Sequence, residues 1–530
     1  MPNSLLTIRR TGGAIRIPFA PPMRLMEVLQ RAQMAVPFPH PCAGTGSCGN
    51  CRVALTGRLA PRTESECRAL QNYPANIRLS CQALLLGDAV CTLPDAVDAQ
   101  SVLVGSGAAA LSRADFDPAG ESDCGIAVDI GTTTVAVYLY QLAEGTLLGA
   151  AGSPNAQGSF GSDVIARIVH AGQDDGAARL QDTIVKQLQN MITAILAQTQ
   201  IDADHITRMV ITGNTTMLHL LTGRDVRGIG VYPFTPDSLF GYSCPADTLF
   251  GALLPAAELY FPPCISAYVG ADIVCGIMDC RLTGQENALL IDVGTNGEMV
   301  LYHGGNIVCC ATAAGPAFEG RDITMGMAAA AGAVNSIFMQ DDAIAYTTIG
   351  DAAPAGICGT GIISGISTML HAGILDETGA LEPVGHAYPH LMTERDGQPA
   401  FLIGDSALLL TQRDIRKIQL SKAAIAAGVE TLLHECALSG ADIAATYLSG
   451  GFGSYIPPQE AADIGLLPHT LLPQLSPAGN TAGNGAAKLL FAQKWRREAE
   501  AIAKQARDVD LSSHAYFVER YTENMLFLPL

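Results

Sequence analysis

The sequence predicts an α/β protein: a small β-rich domain with a cysteine-bearing loop, a linker, and then a large unit in which strands and helices alternate. Three observations carry this prediction. Short runs with alternating apolar residues fill the first ninety positions, a stretch without sustained apolar period follows, and from about residue 124 apolar strands run repeatedly into glycine turns and helical periods.

Residues 4–19 read as two strands around Thr11-Gly12-Gly13, and Met23 to Gln33 has helical spacing. The cysteine loop follows, and Val53 to Leu59 and Ile77 to Leu93 supply further strands, with Gly87-Asp88 as a turn. Strand, strand, helix, cysteine loop is the order of a β-grasp domain, which should close near Pro94. From Asp95 to about Asp123 the composition shifts to Ala, Ser, Gly and Asp, as in a linker. The expected boundaries are 1–94 for the first domain and 95–123 for the linker, with the large unit following from 124.

Cys42, Cys48 and Cys51 share one glycine-rich loop, and Cys81 stands on a distant segment. Three thiolates on a loop closed by a fourth can wrap both irons of a [2Fe–2S] cluster, and glycines let backbone amides reach the sulfurs. The first gap is one residue longer than in the plant-type C-x4-C-x2-C pattern. Zinc is the competing reading, but it usually takes two C-x2-C pairs, and here there is one. Cys67 and Cys91 compete with Cys81 as the fourth ligand. Gly44, Gly46 and Gly49 match the dinucleotide fingerprint formally, but a cysteine interrupts them and a strand rather than a long helix follows.

With 530 residues, 48% of them hydrophobic and only 15% charged, the chain can bury several cores, and its 55 glycines punctuate many turns. Met299 to Phe318 and Ala352 to Leu375 are uncharged enough to mimic membrane spans, but Gly, Pro, Asn or His interrupts each, so both read as buried strands and glycine turns and no membrane partner is expected. A net charge of −19 without a basic patch excludes a nucleic-acid partner. The N-terminus has no apolar signal region, so a cytoplasmic setting with reduced thiols is expected for the 15 cysteines. Those outside the cluster, such as Cys275, Cys280, Cys309, Cys310 and Cys358, read as small buried hydrophobes. His219 and His371, on apolar helical runs, read as satisfied core residues.

Three strand-turn segments of the C-terminal part bear on chemistry. In the first, Asp129 precedes Gly131, Thr132, Thr133 and Thr134; in the second, Asp292 precedes Gly294, Thr295, Asn296, Gly297 and Glu298. The third is a strand running into Gly450, Gly451 and Gly453. Glycine lets turn amides approach phosphate oxygens, Thr hydroxyls donate to them, and an Asp at the strand end can hold water on Mg²⁺. No Walker A motif occurs.

Together these segments resemble the two phosphate loops and the adenosine loop of the acetate and sugar kinase, Hsc70 and actin superfamily. The resemblance implies two related ribonuclease-H-like lobes, expected at 124–285 and 286–530, with ATP between them. The joining of such an ATPase to an N-terminal ferredoxin domain is similar, along essentially the whole chain, to the reductive activators of corrinoid proteins. Further stretches carrying that likeness are Ile211 to Met217, Gly270-Ala271-Asp272, Gly315 to Gly320, Ile357 to Gly361 and Glu519-Arg520-Tyr521.

That resemblance implies ATP-dependent reduction of Co(II) to Co(I) on a separate corrinoid protein, fed by an electron donor, with a [2Fe–2S] cluster, ATP and Mg²⁺ as cofactors and a homodimer as the assembly. It assigns Asp129 and Asp292 to Mg²⁺ and water, Thr132 to Thr134 and Thr295 to Gly297 to phosphates, and Gly450, Gly451 and Gly453 to adenosine. Asp272 and Glu298 are candidates for orienting water, with a turn or helix-capping role as the alternative. No histidine follows an Asp by two positions, so the Asp-x-His-x-x-Gly cobalt-ligand motif of many corrinoid proteins is absent and the corrinoid is expected on the partner.

Three alternatives stand beside this one: a small-molecule kinase fused to a ferredoxin, a non-enzymatic electron carrier or redox sensor, and a relative of the 2-hydroxyacyl-CoA dehydratase activators. The last carry a [4Fe–4S] cluster between subunits, which Cys358-Gly359-Thr360-Gly361 could superficially suggest.

Overall fold

The computed structural model describes residues 4–10, 13–31, 51–70, 74–92, 116–117, 119–120, 122–382, 385 and 387–530. The chain divides into two compact units, Met1–Ala99 with Pro154–Gln187, and Gln100–Ser153 with Leu188–Leu530.

In the first unit β1 (Ser4–Arg10) and β2 (Gly13–Phe19) form an antiparallel hairpin, followed by α1 (Leu25–Arg31), β3 (Arg52–Leu59), α2 (Glu64–Ala69), β4 (Ile77–Leu79) and β5 (Leu84–Thr92). The strands order as β2-β1-β5-β3-β4, with β1 and β5 parallel. Their inward residues, among them Leu6, Ile8, Val53, Leu55 and Leu85, close on Leu25 and Leu29 of α1.

Gly87-Asp88 is not a turn, as the sequence predicts, but the middle of β5, where Leu85, Gly87, Ala89 and Cys91 alternate inward. The partner strand absorbs the irregularity: Gly57 has φ +128°, opposite a register shift, and a Cβ there would lie 2.6 Å from Ala89 Cα. The chain reverses instead at residues 80–82, which carry Cys81.

The second unit repeats one topology. β6 (Cys124–Ile130), β7 (Thr134–Gln141) and β8 (Thr146–Pro154) form an antiparallel meander, and β9 (Ile206–Gly213) lies parallel to β6, with β10 (Tyr242–Pro245) and β11 (Glu258–Phe261) beyond it. The order is β10-β11-β9-β6-β7-β8. In the second lobe β12 (Asn287–Val293), β13 (Gly297–His303) and β14 (Asn306–Thr312) make the meander, and β15 (Ala445–Ser449) and β16 (Leu475–Gly479) run parallel to β12. Each sheet thus sets a three-strand meander beside two parallel strands, as expected of ribonuclease-H-like lobes.

Helices α3 (Ala271–Asp279) and α6 (Thr481–Phe491) pack on each other in a core that they share with residues of both sheets. Gly485 allows the approach, since a Cβ there would strike the Cys275 backbone. The contact holds a buried ion pair, Lys488 Nζ to Asp279 Oδ1 at 2.9 Å. The second lobe adds two three-stranded sheets, α4 (Gly359–His371) and α5 (Gln412–Glu435) around its largest core. The window Ala352–Leu375, expected as strand and turn, is therefore mostly α4. Among the described residues no helix is long and apolar enough to cross a membrane.

Candidate functional site

In the first unit Cys51 immediately precedes β3, and Cys81 sits in the turn after β4. Both are buried, with their sulfurs 3.3 Å apart. That is far beyond a disulfide bond and near the roughly 3.7 Å that two sulfurs adopt on one tetrahedral metal with ~2.3 Å bonds. Cys42 and Cys48 lie outside the described residues. The segment entering Cys81 is anchored by a buried pair, Arg78 to Glu66 at 2.7 Å, while Glu66 Oε1 also accepts the Leu79 amide. Of the rival ligands, Cys67 is exposed on α2, and Cys91 lies in the apolar core, where burial pushes its thiol up to about 12. The pair present therefore fits one side of a small metal–sulfur cluster.

In the second unit the tips of two hairpins meet. The β6–β7 turn closes with the Gly131 amide on the Thr134 carbonyl at 2.9 Å, and the β12–β13 turn with the Gly294 amide on the Asn296 carbonyl at 3.0 Å. Such short turns leave side chains and amides at the tip facing outward, and Thr133 Oγ1 comes within 3.0 Å of Thr295 Oγ1. Thr132 is buried and accepts the Asn214 side-chain amide at 2.9 Å. Asn214 follows β9 and caps the helix Thr215–Thr222.

Beneath these tips lie the four acids. Asp129 and Asp292 are the penultimate residues of β6 and β12, the equivalent position in each lobe. Glu298 pairs with Asp292 across β12 and β13, which places both on one face, and Asp272 occupies the first turn of α3. Asp129 accepts Asn480 Nδ2 at 3.0 Å, and Asp292 accepts Ser449 Oγ at 2.6 Å. None of the four has an ion-pair partner among the described residues.

Burial, then the neighbouring carboxylates, raise these acids. Asp129 is pushed up to about 7 by desolvation and Asp292, against the Asn480 hydrogen bond. Asp272 is pushed up to about 8 by desolvation, Asp129 and Asp292. Desolvation raises Asp292 too, and it raises Glu298 well above the carboxylate range, with Asp272 and Asp292 adding to it. Acids raised in this way either keep their protons or are neutralised by a cation. No three His, Cys, Asp or Glu side chains among the described residues close on one metal position. The acids suit instead an ion such as Mg²⁺, which takes one or two carboxylates, keeps waters and completes its shell with phosphate oxygens.

The third glycine loop leaves β15 beside Asp292, because Ser449 pairs with Asp292 in register. Gly450 has φ +93°, and a Cβ there would stand 2.7 Å from the Val293 carbonyl and 2.8 Å from Asp292 Oδ1, so only glycine fits. Gly451 is exposed and Gly453 buried. Phe452 between them stacks on Phe318, ring centroids 5.8 Å apart at 3°.

Sequence reasoning brought together the two threonine tips, the four acids and the third loop, and it missed Ser449, Asn480 and Glu319. Glu319 accepts both Thr133 Oγ1, at 2.7 Å, and Thr295 Oγ1, at 2.9 Å. Its signal was the Gly315–Gly320 stretch, as that of Asn214 was Ile211–Met217. His219 is buried with both ring nitrogens bonded, Nδ1 at 2.7 Å from the Thr215 carbonyl and Nε2 accepting the Ser238 amide at 3.2 Å. His371 departs from the expected core position: it ends α4 on the exposed side.

Three families match consecutive stretches: a 2Fe-2S iron-sulfur cluster binding domain over residues 8–86, the RACo middle region over 124–285, and the C-terminal ASKHA domain of RACo over 286–529. The chain is 33% identical to the corrinoid activation enzyme RamQ of Eubacterium limosum over 434 residues, 78% of this chain and 72% of that one. It is 26% identical over 379 residues to a [Co(II) methylated amine-specific corrinoid protein] reductase of Methanosarcina barkeri, 65% of this chain and 66% of that one. A solved structure of a reductive activator for corrinoid, iron-sulfur protein superposes with TM-score 0.72 at 26% identity, covering 99% of this chain and 98% of the other. The chain belongs to the RACo family of corrinoid-protein activators, in which a [2Fe–2S] domain is joined to an ASKHA unit that binds ATP.

Proposed function

We propose that this chain is an ATP-dependent reductase that returns a Co(II) corrinoid, held on a separate protein, to Co(I). The observation that carries the reading is the meeting of two threonine-tipped hairpins over four buried acids, in a chain that also brings Cys51 and Cys81 together. When bound, the [2Fe–2S] cluster supplies one-electron transfer and Mg²⁺-ATP supplies the free energy.

The energetic problem sets the residues' tasks. A plant-type cluster sits near about −400 mV, and each further 100 mV uphill costs ~2.3 kcal/mol per electron. A nucleotide can offset that cost only through contacts that differ between states of the protein. Thr132, Thr133 and Thr134 from one lobe, and Thr295, Asn296 and Gly297 from the other, are assigned to phosphate, and the approach of Thr133 to Thr295 supports a site shared by both lobes. A phosphate held there binds both lobes at once, so nucleotide state becomes lobe closure. Gly131 and Gly294 keep the tips narrow, and Gly450, Gly451 and Gly453 leave room for adenosine.

Asp129 and Asp292 are assigned to Mg²⁺ and its waters, Asn480 and Ser449 fixing their orientation. Asp272 and Glu298, buried in the same acidic cluster, are assigned to orienting the attacking water. Cys42, Cys48, Cys51 and Cys81 are assigned as cluster ligands. The domain limits 1–94, 95–123, 124–285 and 286–530, a cytoplasmic location, a separate electron donor and a homodimer complete the reading.

The test is ATP hydrolysis by the whole chain in the presence of a corrinoid protein poised as Co(II) or methylated as Co(III). Stimulation by the Co(II) form alone is expected. Hydrolysis indifferent to the corrinoid and its oxidation state would overturn the reading.

A further inference from the structure

The Glu319 carboxylate occupies the place where the two phosphate loops meet. Each threonine hydroxyl has one proton to donate, and both go to Glu319: Thr133 to Oε2 at 2.7 Å and Thr295 to Oε1 at 2.9 Å. The 3.0 Å contact between the two hydroxyls is therefore a consequence of sharing one carboxylate. A carboxylate and a phosphate present paired anionic oxygens to the same kinds of donor. The two donors assigned to phosphate are thus committed to an anion of the protein's own.

The surroundings suit exchange better than permanence. Glu319 ends the short turn Ala317–Glu319, and Gly320, with φ +69°, fixes the chain after it. The Gly315 amide binds the Thr295 carbonyl at 2.8 Å, and buried Phe318 stacks on Phe452 of the third glycine loop. The backbone of this turn is thereby tied to one phosphate loop and to the adenosine loop, so a change of partner at this position falls to the Glu319 side chain. Arg321 Nε stands 3.7 Å from Glu319 Oε2, a cation ready to receive the carboxylate when it leaves the threonines.

We propose that Glu319 is an exchangeable internal ligand, which latches the two phosphate loops in the nucleotide-free protein and is displaced toward Arg321 by a nucleotide phosphate on the same two hydroxyls. This deepens the ATP-binding reading and rests on it. Glu319 is a positioning residue here, and removing its charge takes away a competitor of the phosphate.

The experiment compares the full chain with Glu319→Gln, Glu319→Ala and Arg321→Gln, by calorimetric titration with Mg²⁺-ADP and by hydrogen exchange. Glu319→Gln should bind nucleotide more tightly by about tenfold, the factor that ~1.4 kcal/mol represents, whereas Arg321→Gln should bind more weakly. Nucleotide-free Glu319→Ala should exchange amides of 131–134 and 294–297 faster than wild type, with the difference vanishing at saturation. That last readout separates a latch from a mere change of local charge. Unchanged exchange in both loops, or a Glu319→Gln affinity equal to or below wild type, would overturn the proposal. A kcat lowered a hundredfold at unchanged affinity would also overturn it, making Glu319 a catalytic base. If wild type itself binds no nucleotide, the ATP reading fails first, and if wild type binds and the variants do not differ from it, only the latch fails.

Discussion

Replacing Asp129 by Asn tests the acid cluster through stability rather than turnover. Desolvation and Asp292 raise the folded-state pKa of Asp129 from 3.8 to about 7, so between those values the native state holds a proton that the unfolded chain has released. Stability rises with pH only where the unfolded state binds more protons, so here it falls, starting near pH 4 and levelling off above pH 7. Over the accessible window from pH 5.5 to 8, about 1.5 units lie below the folded pKa, which is roughly 2 kcal/mol at ~1.4 kcal/mol per unit. With ~2 cal/mol/K of unfolding entropy per residue, this corresponds to a Tm change of about 2–3 °C for a unit of some 400 residues. Asn cannot ionise and keeps an oxygen for the Asn480 amide. Calorimetric scans should therefore show Asp129→Asn gaining 2–3 °C on wild type as pH rises from 5.5 to 8. Mg²⁺ with a non-hydrolysable ATP analogue should stabilise wild type more at pH 8 than at pH 6, and the variant less at both. Parallel pH profiles for the two proteins would refute the reasoning that crowding and dehydration hold these acids protonated.

Lys488→Met leaves Asp279 buried without its cation and should cost about 3–5 kcal/mol, read as a lower Tm, with most of the loss recovered when Asp279→Leu is added. Gly450→Ala forces an alanine to φ +93° at ~1–2 kcal/mol and pushes on Asp292, so nucleotide affinity should fall at least tenfold in titration while the visible spectrum of the cluster stays the same. Cys81→Ser should abolish that spectrum, and Cys67→Ser, on an exposed helix face, should leave it intact. Lys422 is fully buried, donates to the Leu526 and Gly465 carbonyls, and is lowered by burial to about 7. Its unfolded form keeps the proton up to about pH 10.4, so its contribution to stability grows as pH rises above 7, and Lys422→Met should flatten that rise in Tm.

What the sequence made legible was local. The cysteine loop, the Asp-x-Gly hairpin tips and the double-glycine turn each announce themselves within ten residues, because tight turns and close backbone approach demand glycine. The partners of those residues come from far along the chain. Ser449 reaches Asp292 across 157 positions and Asn480 reaches Asp129 across 351, through parallel strand pairing and a helix cap that no local pattern encodes. Glu319 stood within a noted stretch, but its role depends on two lobes meeting. The pseudo-symmetry of the lobes was legible in the paired Asp-x-Gly hairpins, yet not in the loops after β9 and β15, whose chemistry has diverged to Gly-Asn-Thr in one and Gly-Gly-Phe in the other. Gly87-Asp88 misled as a turn because the glycine sits opposite a bulge, and Ala352–Leu375 misled because a buried helix shows no amphipathic period.

Coupling of ATP to the uphill reduction of a corrinoid is the activity on which the roles of both units depend. Anaerobic visible spectroscopy of a Co(II) corrinoid protein, mixed with this protein and a reductant, tests it most directly. The Co(I) spectrum should appear with Mg²⁺-ATP and an intact cluster, and should fail to appear when either is withheld or when Cys81→Ser replaces wild type. Consumption of ATP without Co(I) across a panel of corrinoid partners, or Co(I) formed equally well without ATP, would contradict it.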